Sequence, residues 1–475
     1  MSKLTDRVYA SSPVWVQKVG INAFGWYWAR RRLGGDFQRF SQAYEERESW
    51  DQDRFRGYLQ DQLRAQVQRA YREVPMYREA FRSHGVSEGL LEKLTLEDLN
   101  KLPLLDKSKV RANSAALLTE TAAKNPPKYF NTSGTTGTPL RIYWDFSVHQ
   151  HNIAVRAARS FRWAGVKYLE PRAVLAGRIV VPPSHHRPPF WRYNIWERQL
   201  YLSTYHILRE NLPDYVAAIN RFKPVTMTGF ASANYFLAKL IGESNLEVHS
   251  PRAIITTSER LAPEMREVLE RVYHSRAYQE YGGVENCTLA SECEKGRMHV
   301  HSDFGLVEIL RSDGTEAAPG EVGEMVLTGF ANVNQIFIRY RVGDLAAWSK
   351  DPCPCGRTLF PVLAELSGRQ EDTIILPDGR EMTRFDFLFK DLDGVREGQF
   401  VQEDLNHFVI NLVPTSQYTS ADADEIRERM RVRYGVDSGS QVEIRTLERI
   451  PLEKNGKFRP VLSRLKRSAR NQDPH

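Results

Sequence analysis

The sequence predicts an α/β protein with a large N-terminal domain and a small α+β C-terminal domain. Helical periodicity dominates the first 110 residues, β-rich apolar runs then alternate with helical stretches, and the pattern changes again after residue 369. A length of 475 residues suits two to four domains. We therefore expect a helical region packed on the core at 1–110, a large domain at 111–369 and a small mobile domain at 370–475.

The first 110 residues are expected to be mostly helical. Apolar side chains recur every three to five residues from Glu45 to His84, and Pro75 interrupts the pattern. Nearer the N-terminus, residues 14–28 include five aromatic side chains, and three arginines follow at 30–32. Such a segment can lie on a membrane surface or pack against the protein's own core. Both alternatives stay open, so peripheral membrane contact through residues 1–45 is one prediction.

Alternating short strands and helices favour an α/β core from about residue 125 onward. Strands are predicted at 173–181, 225–230, 253–257, 307–310 and 325–328. Helices are predicted between them at 212–222, 233–241 and 263–273. In the small domain, strands are predicted at 373–376, 400–402, 407–413 and 441–446, with a helix at 421–434.

Composition and charge exclude several classes of protein. Lys and Arg number 66 against 59 Asp and Glu, and this net charge of +7 suits an anionic ligand such as a nucleotide without calling for nucleic acid. The longest apolar run, 173–183, is interrupted by Arg178 and is too short to span a bilayer. The N-terminus lacks the apolar core of a signal peptide, so we expect a cytoplasmic protein. Four cysteines are too few for a secreted disulfide scaffold.

The first motif is a loop rich in glycine and hydroxyl residues. Segment 129–140 has the sequence YFNTSGTTGTPL, and residues 141–144 after it are predicted to form a strand. Backbone N–H groups and hydroxyls of such a loop can hold phosphate oxygens, although the Gly-Lys-Ser/Thr of a P-loop is absent. An ordinary polar turn is the alternative.

Three further motifs carry single charged residues. Glu285 follows the Tyr-Gly-Gly turn of 281–283 and can reach Mg²⁺, unless the segment is an ordinary turn before a helix. Asp344 follows a glycine at the end of a predicted strand and can accept both hydroxyls of a ribose, or else pair with a neighbouring arginine. Lys457 follows an Asn-Gly turn and suits a phosphate or a developing oxyanion, unless it is an ordinary surface lysine.

These motifs follow one another along the chain in the order found in the adenylate-forming superfamily of acyl-CoA ligases, synthetase adenylation domains and luciferases. The sequence therefore resembles that superfamily. More narrowly, the sequence is similar to the phenylacetate–CoA ligase branch, including homologues encoded with capsular-polysaccharide genes. The resemblance covers about residues 45–465. It implies a large, multi-sheet adenylate-forming domain and an ATP-dependent, AMP-forming acid ligase. In such enzymes a carboxylate attacks the α-phosphate, pyrophosphate leaves, and the small domain rotates before an acceptor takes the acyl group.

The resemblance also implies roles for individual residues. The loop that holds the ATP phosphates would comprise Ser133, Gly134, Thr135, Thr136 and Gly137. The remaining nucleotide contacts would come from Ser258, Glu259, Tyr281 and Gly282 at the adenine and Asp344 at the ribose, with Arg369 at the hinge. Catalysis would depend on Glu285 as the Mg²⁺ ligand and on Lys457, which contacts the carboxylate and the α-phosphate. A cation and a lysine offset the repulsion of two anions that must meet.

The segment after the hinge leaves the acceptor open. CoA ligases of this branch carry an Ile-Arg-Gly-type segment near the pantetheine tunnel, whereas residues 374–382 here are IILPDGREM. Transfer to CoA is the main prediction. An amide- or ester-forming ligase acting on a sugar or polysaccharide precursor is one alternative, and a non-catalytic nucleotide-binding relative is another. The expected partners are a carboxylic acid and either CoA or an amine or hydroxyl acceptor, with a homodimer left open.

Pocket residues are less certain from sequence. His206 either lines the acyl pocket or is a structural histidine. Residues 230–232 either form a pocket wall or begin a helix, with Ser232 as its cap.

The four cysteines fall into two short segments. Some members of the branch bind a structural Zn²⁺ with this layout, so the resemblance implies a closed zinc site. The expected ligands are Cys293, His299, Cys353 and Cys355. His301 and Cys287 are alternative fourth ligands, and two metal-free loops are the other alternative.

Overall fold

The computed structural model describes residues 8–131, 140–182, 184–367, 374–382, 385, 388–389, 392–436, 439–448, 450 and 461–465. Its helices before the sheet are α1 (Val14–Leu33), α2 (Phe37–Glu46), α3 (Gln52–Glu73), α4 (Pro75–Ser83), α5 (Glu88–Lys93), α6 (Lys107–Ala112) and α7 (Glu120–Lys124). The later helices are α8 (Phe146–Val155), α9 (Leu212–Phe222), α10 (Ala231–Glu243), α11 (Pro263–Tyr273) and α12 (Ser420–Tyr434).

The helical region follows the predicted pattern. Asp51 caps α3 because its side chain accepts a hydrogen bond from the Arg54 backbone N–H at 2.8 Å. Pro75 ends the pattern and occupies the first turn of α4, where its missing N–H costs nothing. The periodic apolar side chains of α3, such as Leu63 and Val67, are fully buried.

The strands of the large α/β region are β1 (Lys128–Asn131), β2 (Arg141–Trp144), β3 (Arg172–Leu175), β4 (Trp191–Asn194), β5 (Gln199–Leu202), β6 (Thr226–Phe230), β7 (Ala253–Thr257), β8 (Ala277–Gly282), β9 (Leu289–Glu292), β10 (Met298–Val300), β11 (Gly305–Leu310), β12 (Gly323–Gly329), β13 (Tyr340–Trp348) and β14 (Val362–Ser367). Twelve of them form one sheet in the order β11-β12-β13-β14-β10-β9-β8-β7-β6-β3-β5-β4, while β1 and β2 form a separate hairpin. Neighbours from β8 to β5 are parallel, and the remaining pairs are antiparallel. The predicted α/β class is thereby confirmed.

One predicted strand is too long. The apolar run 173–181 forms β3 only as far as Leu175. Beyond that point Val180 and Val181 leave the sheet and pack against Ile21 of α1 and Tyr201 of β5. An apolar run can be buried without being a strand, which periodicity alone does not reveal.

The C-terminal region is a small α+β unit. Its strands are β15 (Ile374–Ile375), β16 (Glu381–Met382), β17 (Val395–Asp404), β18 (His407–Pro414), β19 (Gln441–Thr446) and β20 (Val461–Ser463). Four of these strands form a sheet in the order β19-β18-β17-β20. The other two, β15 and β16, pair with each other. Helix α12 begins at a capping box formed by Thr419 and Asp422 and contributes Ile426 and Met430 to the core.

A buried ion network joins the helical region to the sheet. The Asp303 carboxylate accepts hydrogen bonds from Arg47 at 2.6 Å and from Arg159 at 2.6 and 2.8 Å. Burial alone would raise the pKa of Asp303, but the two guanidinium groups outweigh it and hold the pKa below its usual range. Residue 47 directly follows α2, so this network fixes the N-terminal helices on the sheet.

Candidate functional site

Two residues from distant motifs meet at the centre of the predicted nucleotide site. The Tyr281 hydroxyl donates a hydrogen bond to the Asp344 carboxylate at 2.7 Å. Tyr281 lies on β8 and Asp344 on β13, with three strands between them in the sheet. In a flat sheet, strands four places apart would be about 19 Å apart. The sheet therefore bends strongly, and this bend brings the predicted adenine and ribose residues together.

A local irregularity directs Asp344 toward this position. The pairing of β12 with β13 contains a bulge between the pairs Glu324↔Leu345 and Val326↔Arg341. Between these pairs β13 has two more residues than β12. Gly343, in the bulge, has φ +87, a backbone conformation that favours glycine. Arg341 contacts Glu324 and not Asp344.

Glu285 lies four residues after Tyr281 and is largely buried. The Tyr340 hydroxyl approaches Glu285 Oε1 at 3.4 Å. A side chain at Gly283 would come within 2.6 Å of Glu285 Oε2 and would displace that carboxylate. The Trp144 indole N–H donates to the Val284 carbonyl at 2.8 Å and thereby ties hairpin β1–β2 to the turn.

The predicted adenine segment contacts the start of a helix. Ser258 has φ +69, and the next residue, Glu259, accepts a hydrogen bond from the Ser232 backbone N–H at 2.8 Å. The expectation that Ser232 caps the helix is wrong, because α10 already begins at Ala231. Glu259 instead satisfies an N–H of the first turn, where a negative charge is favoured.

A cavity of about 260 Å³ lies between the large and small regions. Its lining includes Phe230, Ser232 and Glu259 from the large region and Arg380 from the small one. Arg380 donates to the Tyr205 carbonyl at 2.9 Å and to the Tyr434 carbonyl at 2.8 Å, so it links the two regions. The predicted pocket wall at Phe230 and Ser232 therefore does face a cavity.

His206 does not line this cavity. It is buried, its Nδ1 lies 2.7 Å from the Ser203 hydroxyl, and its ring stacks on Phe190. Burial, and then the charge of Arg380, lower its pKa to about 4. Of the two interpretations of His206, the structure favours the structural one.

Several predicted residues lie outside the described part of the chain. These are Ser133, Gly134, Thr135, Thr136, Gly137, Arg369 and Lys457. The phosphate-loop segment connects β1 to β2, whose end residues Asn131 and Arg141 pair. Gly282 ends β8 next to Tyr281.

The predicted zinc ligands form a compact cluster. The ligand atoms of Cys293, His299, Cys353 and Cys355 all lie within 4.8 Å of one another. The Cys293 and Cys353 sulfurs are 3.6 Å apart, and Cys355 Sγ is 3.3 Å from His299 Nε2. Tetrahedral Zn–S bonds of about 2.3 Å place sulfurs roughly 3.8 Å apart. The cluster has the dimensions of a zinc site, and it joins the β9–β10 hairpin to the loop between β13 and β14.

Surrounding groups orient these ligands. The Phe360 carbonyl lies 2.9 Å from His299 Nδ1, so a proton on Nδ1 leaves Nε2 free to face the sulfurs. The Lys295 backbone N–H donates to Cys293 Sγ at 3.3 Å. His301 lies 2.9 Å from the Ser291 hydroxyl instead, and Cys287 donates to the Glu285 carbonyl. Neither alternative ligand belongs to the cluster.

Sequence reasoning missed two contacts that shape the site. The sequence predicts only a strand at Trp144, although the indole N–H of a partly buried tryptophan usually finds an acceptor. Arg380 belongs to segment 374–382, where the sequence indicates only a departure from the family pattern. No local signal indicates that its partner is the carbonyl of residue 205.

Comparisons with known proteins point to one group. Residues 377–464 match the family model described as the CapK C-terminal domain. Protein CapK of Staphylococcus aureus is 25% identical over 400 residues, covering 79% of this chain and 82% of that protein. A phenylacetate-coenzyme A ligase of Thermus thermophilus is 24% identical over 356 residues, covering 70% of this chain and 74% of the ligase.

Solved structures share the fold. The crystal structure of a 2-hydroxyisobutyryl-CoA ligase, in complex with 2-HIB-AMP and CoA in the thioesterification state, superposes with a TM-score of 0.54 at 20% identity. The match covers 87% of this chain and 90% of that ligase. Among the described residues, no helix is both long enough and apolar enough to cross a membrane.

Proposed function

We propose that the chain is a member of the adenylate-forming superfamily, in the branch of CapK and the phenylacetate–CoA ligases, and that it activates a carboxylic acid with ATP and transfers the acyl group to CoA. The contact between Tyr281 and Asp344 beside Glu285 is the observation that carries this proposal. It joins two separate sequence motifs, 281–285 and 339–344, into one polar site. A role in capsular polysaccharide biosynthesis follows only from the resemblance and belongs to the same proposal.

The described side chains suit a nucleotide and its cation. Asp344 is partly exposed and accepts a hydrogen bond from the Tyr281 hydroxyl. It could accept hydrogen bonds from ribose hydroxyls in the same way. Glu285 is 7% exposed, and the neutral Tyr340 hydroxyl near it does not balance a buried negative charge. Mg²⁺ prefers carboxylate oxygens as ligands, so it fits at Glu285. Bound there, Mg²⁺ would offset the charge of the phosphates.

The remaining roles fall partly on residues outside the described ranges and partly on described residues. We propose that Ser133 to Gly137 hold the phosphates, that the chain turns at Arg369, and that Lys457 contacts the carboxylate and the α-phosphate. Ser258, Glu259 and Gly282 would line the adenine. For Glu259 the contact with the first turn of α10 supports a fixed position.

ATP–pyrophosphate exchange with a panel of aryl, acyl and sugar-derived acids tests adenylation. Exchange should depend on one class of acid, and Lys457→Ala should reduce it by on the order of 10²–10³. The melting temperature of this variant should equal that of the wild type. Lys454→Ala, three residues away, is the matched control and should retain exchange. Equal exchange in the Lys457 variant and the wild type would contradict the assignment of Lys457.

The acceptor requires a separate experiment. Thioester formation with CoA should follow adenylation, and it is measured by trapping the product after addition of CoA. The small region favours a second candidate, an amine or hydroxyl acceptor. Arg380 lines the cavity between the two regions. It belongs to segment 374–382, which differs from the corresponding segment of the branch's CoA ligases. Adenylation without thioester, together with release of AMP on addition of an amino sugar, would favour that candidate.

We also propose that the cysteine–histidine cluster holds Zn²⁺ in a structural role. Three sulfurs and one imidazole nitrogen complete a tetrahedral set and leave no position for substrate. When bound, the ion would fix the hairpin and loop that carry the cluster.

A further inference from the structure

The outward face of helix α1 carries an unusual concentration of exposed apolar side chains. Each tryptophan in the described residues that is more than a third exposed lies on or beside it: Trp15 (69%), Trp26 (48%) and Trp196 (50%). Exposed aliphatic side chains lie in the same region, at Val19 and Ile195. Single exposed apolar residues are normal, but a continuous group of this kind indicates a binding surface.

Helix α1 has two different sides. About 100° of rotation per residue places Trp15, Val19, Asn22 and Trp26 on one side. The buried residues Gln17, Ile21, Gly25 and Trp28 occupy the opposite side. The core requires only that buried side, so packing within the protein does not explain the apolar residues that face outward.

The turn between β4 and β5 extends this surface. Asn22 donates a hydrogen bond to the Tyr193 carbonyl at 3.0 Å, and its side-chain oxygen accepts one from the Ile195 backbone N–H at 3.0 Å. These two bonds place the turn that carries Ile195 and Trp196 against Asn22, which lies between Val19 and Trp26 on the same side of the helix. The three tryptophans therefore belong to one surface, which we call the tryptophan face: Trp15, Val19, Trp26, Ile195 and Trp196.

Charge on the tryptophan face is positive. Residues 14–33 contain Lys18 and three arginines but no acidic residue. The Arg30 guanidinium lies 6.0 Å from the Trp26 ring, and Arg30 and Lys18 are both exposed. The acid of the adjoining turn, Glu197, points inward and pairs with Arg32 at 3.2 Å with only 1% of its side chain exposed.

We propose that the tryptophan face binds the surface of an anionic lipid membrane. Tryptophan rings favour the headgroup region, and exposed cations at the same depth attract anionic lipids. Helix α1 would lie in the plane of the interface with its buried side still on the protein, which is consistent with a helix that does not cross the bilayer. The proposal uses no residue of the nucleotide site and stands independently of the proposed function.

Vesicle flotation of the full-length chain tests the proposal. We expect flotation with vesicles of phosphatidylcholine and phosphatidylglycerol, and weak flotation with phosphatidylcholine alone or at high salt. The triple variant Trp15→Ser, Trp26→Ser and Trp196→Ser should bind at least about tenfold more weakly for each ring that inserts. Lys18→Gln and Arg30→Gln should each weaken binding about fivefold.

A matched control replaces exposed apolar residues elsewhere. Val322→Ser with Leu405→Ser removes two side chains of similar exposure and should leave flotation unchanged. Failure of the wild type to float, or equal flotation of the triple variant, would overturn the proposal, provided that melting temperatures agree. A dimer that the triple variant dissociates, without lipid binding by the wild type, would instead assign the face to a second copy of the chain.

Discussion

Loss of metal from the cysteine–histidine cluster should destabilise the protein measurably. The two measured edges of the cluster, 3.6 Å between sulfurs and 3.3 Å between sulfur and nitrogen, are close to the roughly 3.8 and 3.6 Å of an ideal zinc tetrahedron. Little rearrangement is therefore needed for binding. Without a cation, burial and the neighbouring sulfurs of Cys355 and Cys293 raise the pKa of Cys353 to about 12, so this thiol stays protonated at neutral pH.

The expected size of the effect follows from binding linkage. A metal present at a thousand times its dissociation constant stabilises the folded state by about 4 kcal/mol. At about 2 °C for each kcal/mol in a large domain, chelation should lower the melting temperature by roughly 8 °C. The Arg357–Glu294 ion pair at 2.7 Å joins the same two loops and should limit the loss, because it remains after the metal leaves.

The assay combines metal content with thermal unfolding. Freshly purified protein should contain one zinc per chain, and Cys355→Ser should contain markedly less and melt at the lower temperature. Cys287→Ala is the control, since it removes a buried thiol outside the cluster and should retain full zinc content whatever its stability. Protein that is free of zinc yet melts at the same temperature with and without chelator would refute the assignment.

Three other substitutions test the fold around the site. Asp303→Asn should cost about 3–5 kcal/mol in urea unfolding, because it leaves two buried guanidinium groups without their carboxylate. His149 has its pKa lowered to about 2 by burial and nearby cations, below the unfolded value of about 6.5, so stability is full above pH 6.5 and falls as the pH decreases. At pH 5 this histidine alone should cost about 2 kcal/mol, and His149→Phe should remove that part of the loss in urea unfolding at pH 7 and 5. Arg380→Ala should accelerate proteolysis between the two regions by about tenfold, since it removes a charged hydrogen bond to Tyr205; an unchanged rate would show that other contacts dominate.

Elements with strong local signals were predictable from the sequence. The bounds of α9, α11, β7 and β19 agree with the predicted ranges, and Pro213 and Pro263 mark the first turns of the two helices. Burial without a strand explains the largest overextension, at β3. Local patterns specify where an element begins, but they do not show whether a buried run remains hydrogen-bonded to a sheet.

The site was predictable in its residue types and not in its contacts. His299 and His301 are two residues apart and face the same side of an extended segment, so spacing could not distinguish them as ligands. The structure distinguishes them because Ser291 lies beside His301 and the Phe360 carbonyl lies beside His299. Such neighbours come from other strands and have no trace in the local sequence.

The meeting of Tyr281 and Asp344 shows why a bent sheet matters for this chemistry. Residues 63 apart in sequence, on strands that are not neighbours, can share one hydrogen bond only because the sheet bends between them. The β12–β13 bulge adds the local change that directs Asp344 into the bend. Tyr281→Phe would remove the hydrogen bond but leave the ring, whereas Asp344→Ala would remove the carboxylate itself. If the carboxylate binds ribose, Asp344→Ala should raise the KM for ATP far more than Tyr281→Phe does, because the tyrosine hydroxyl only positions a group that the nucleotide contacts directly.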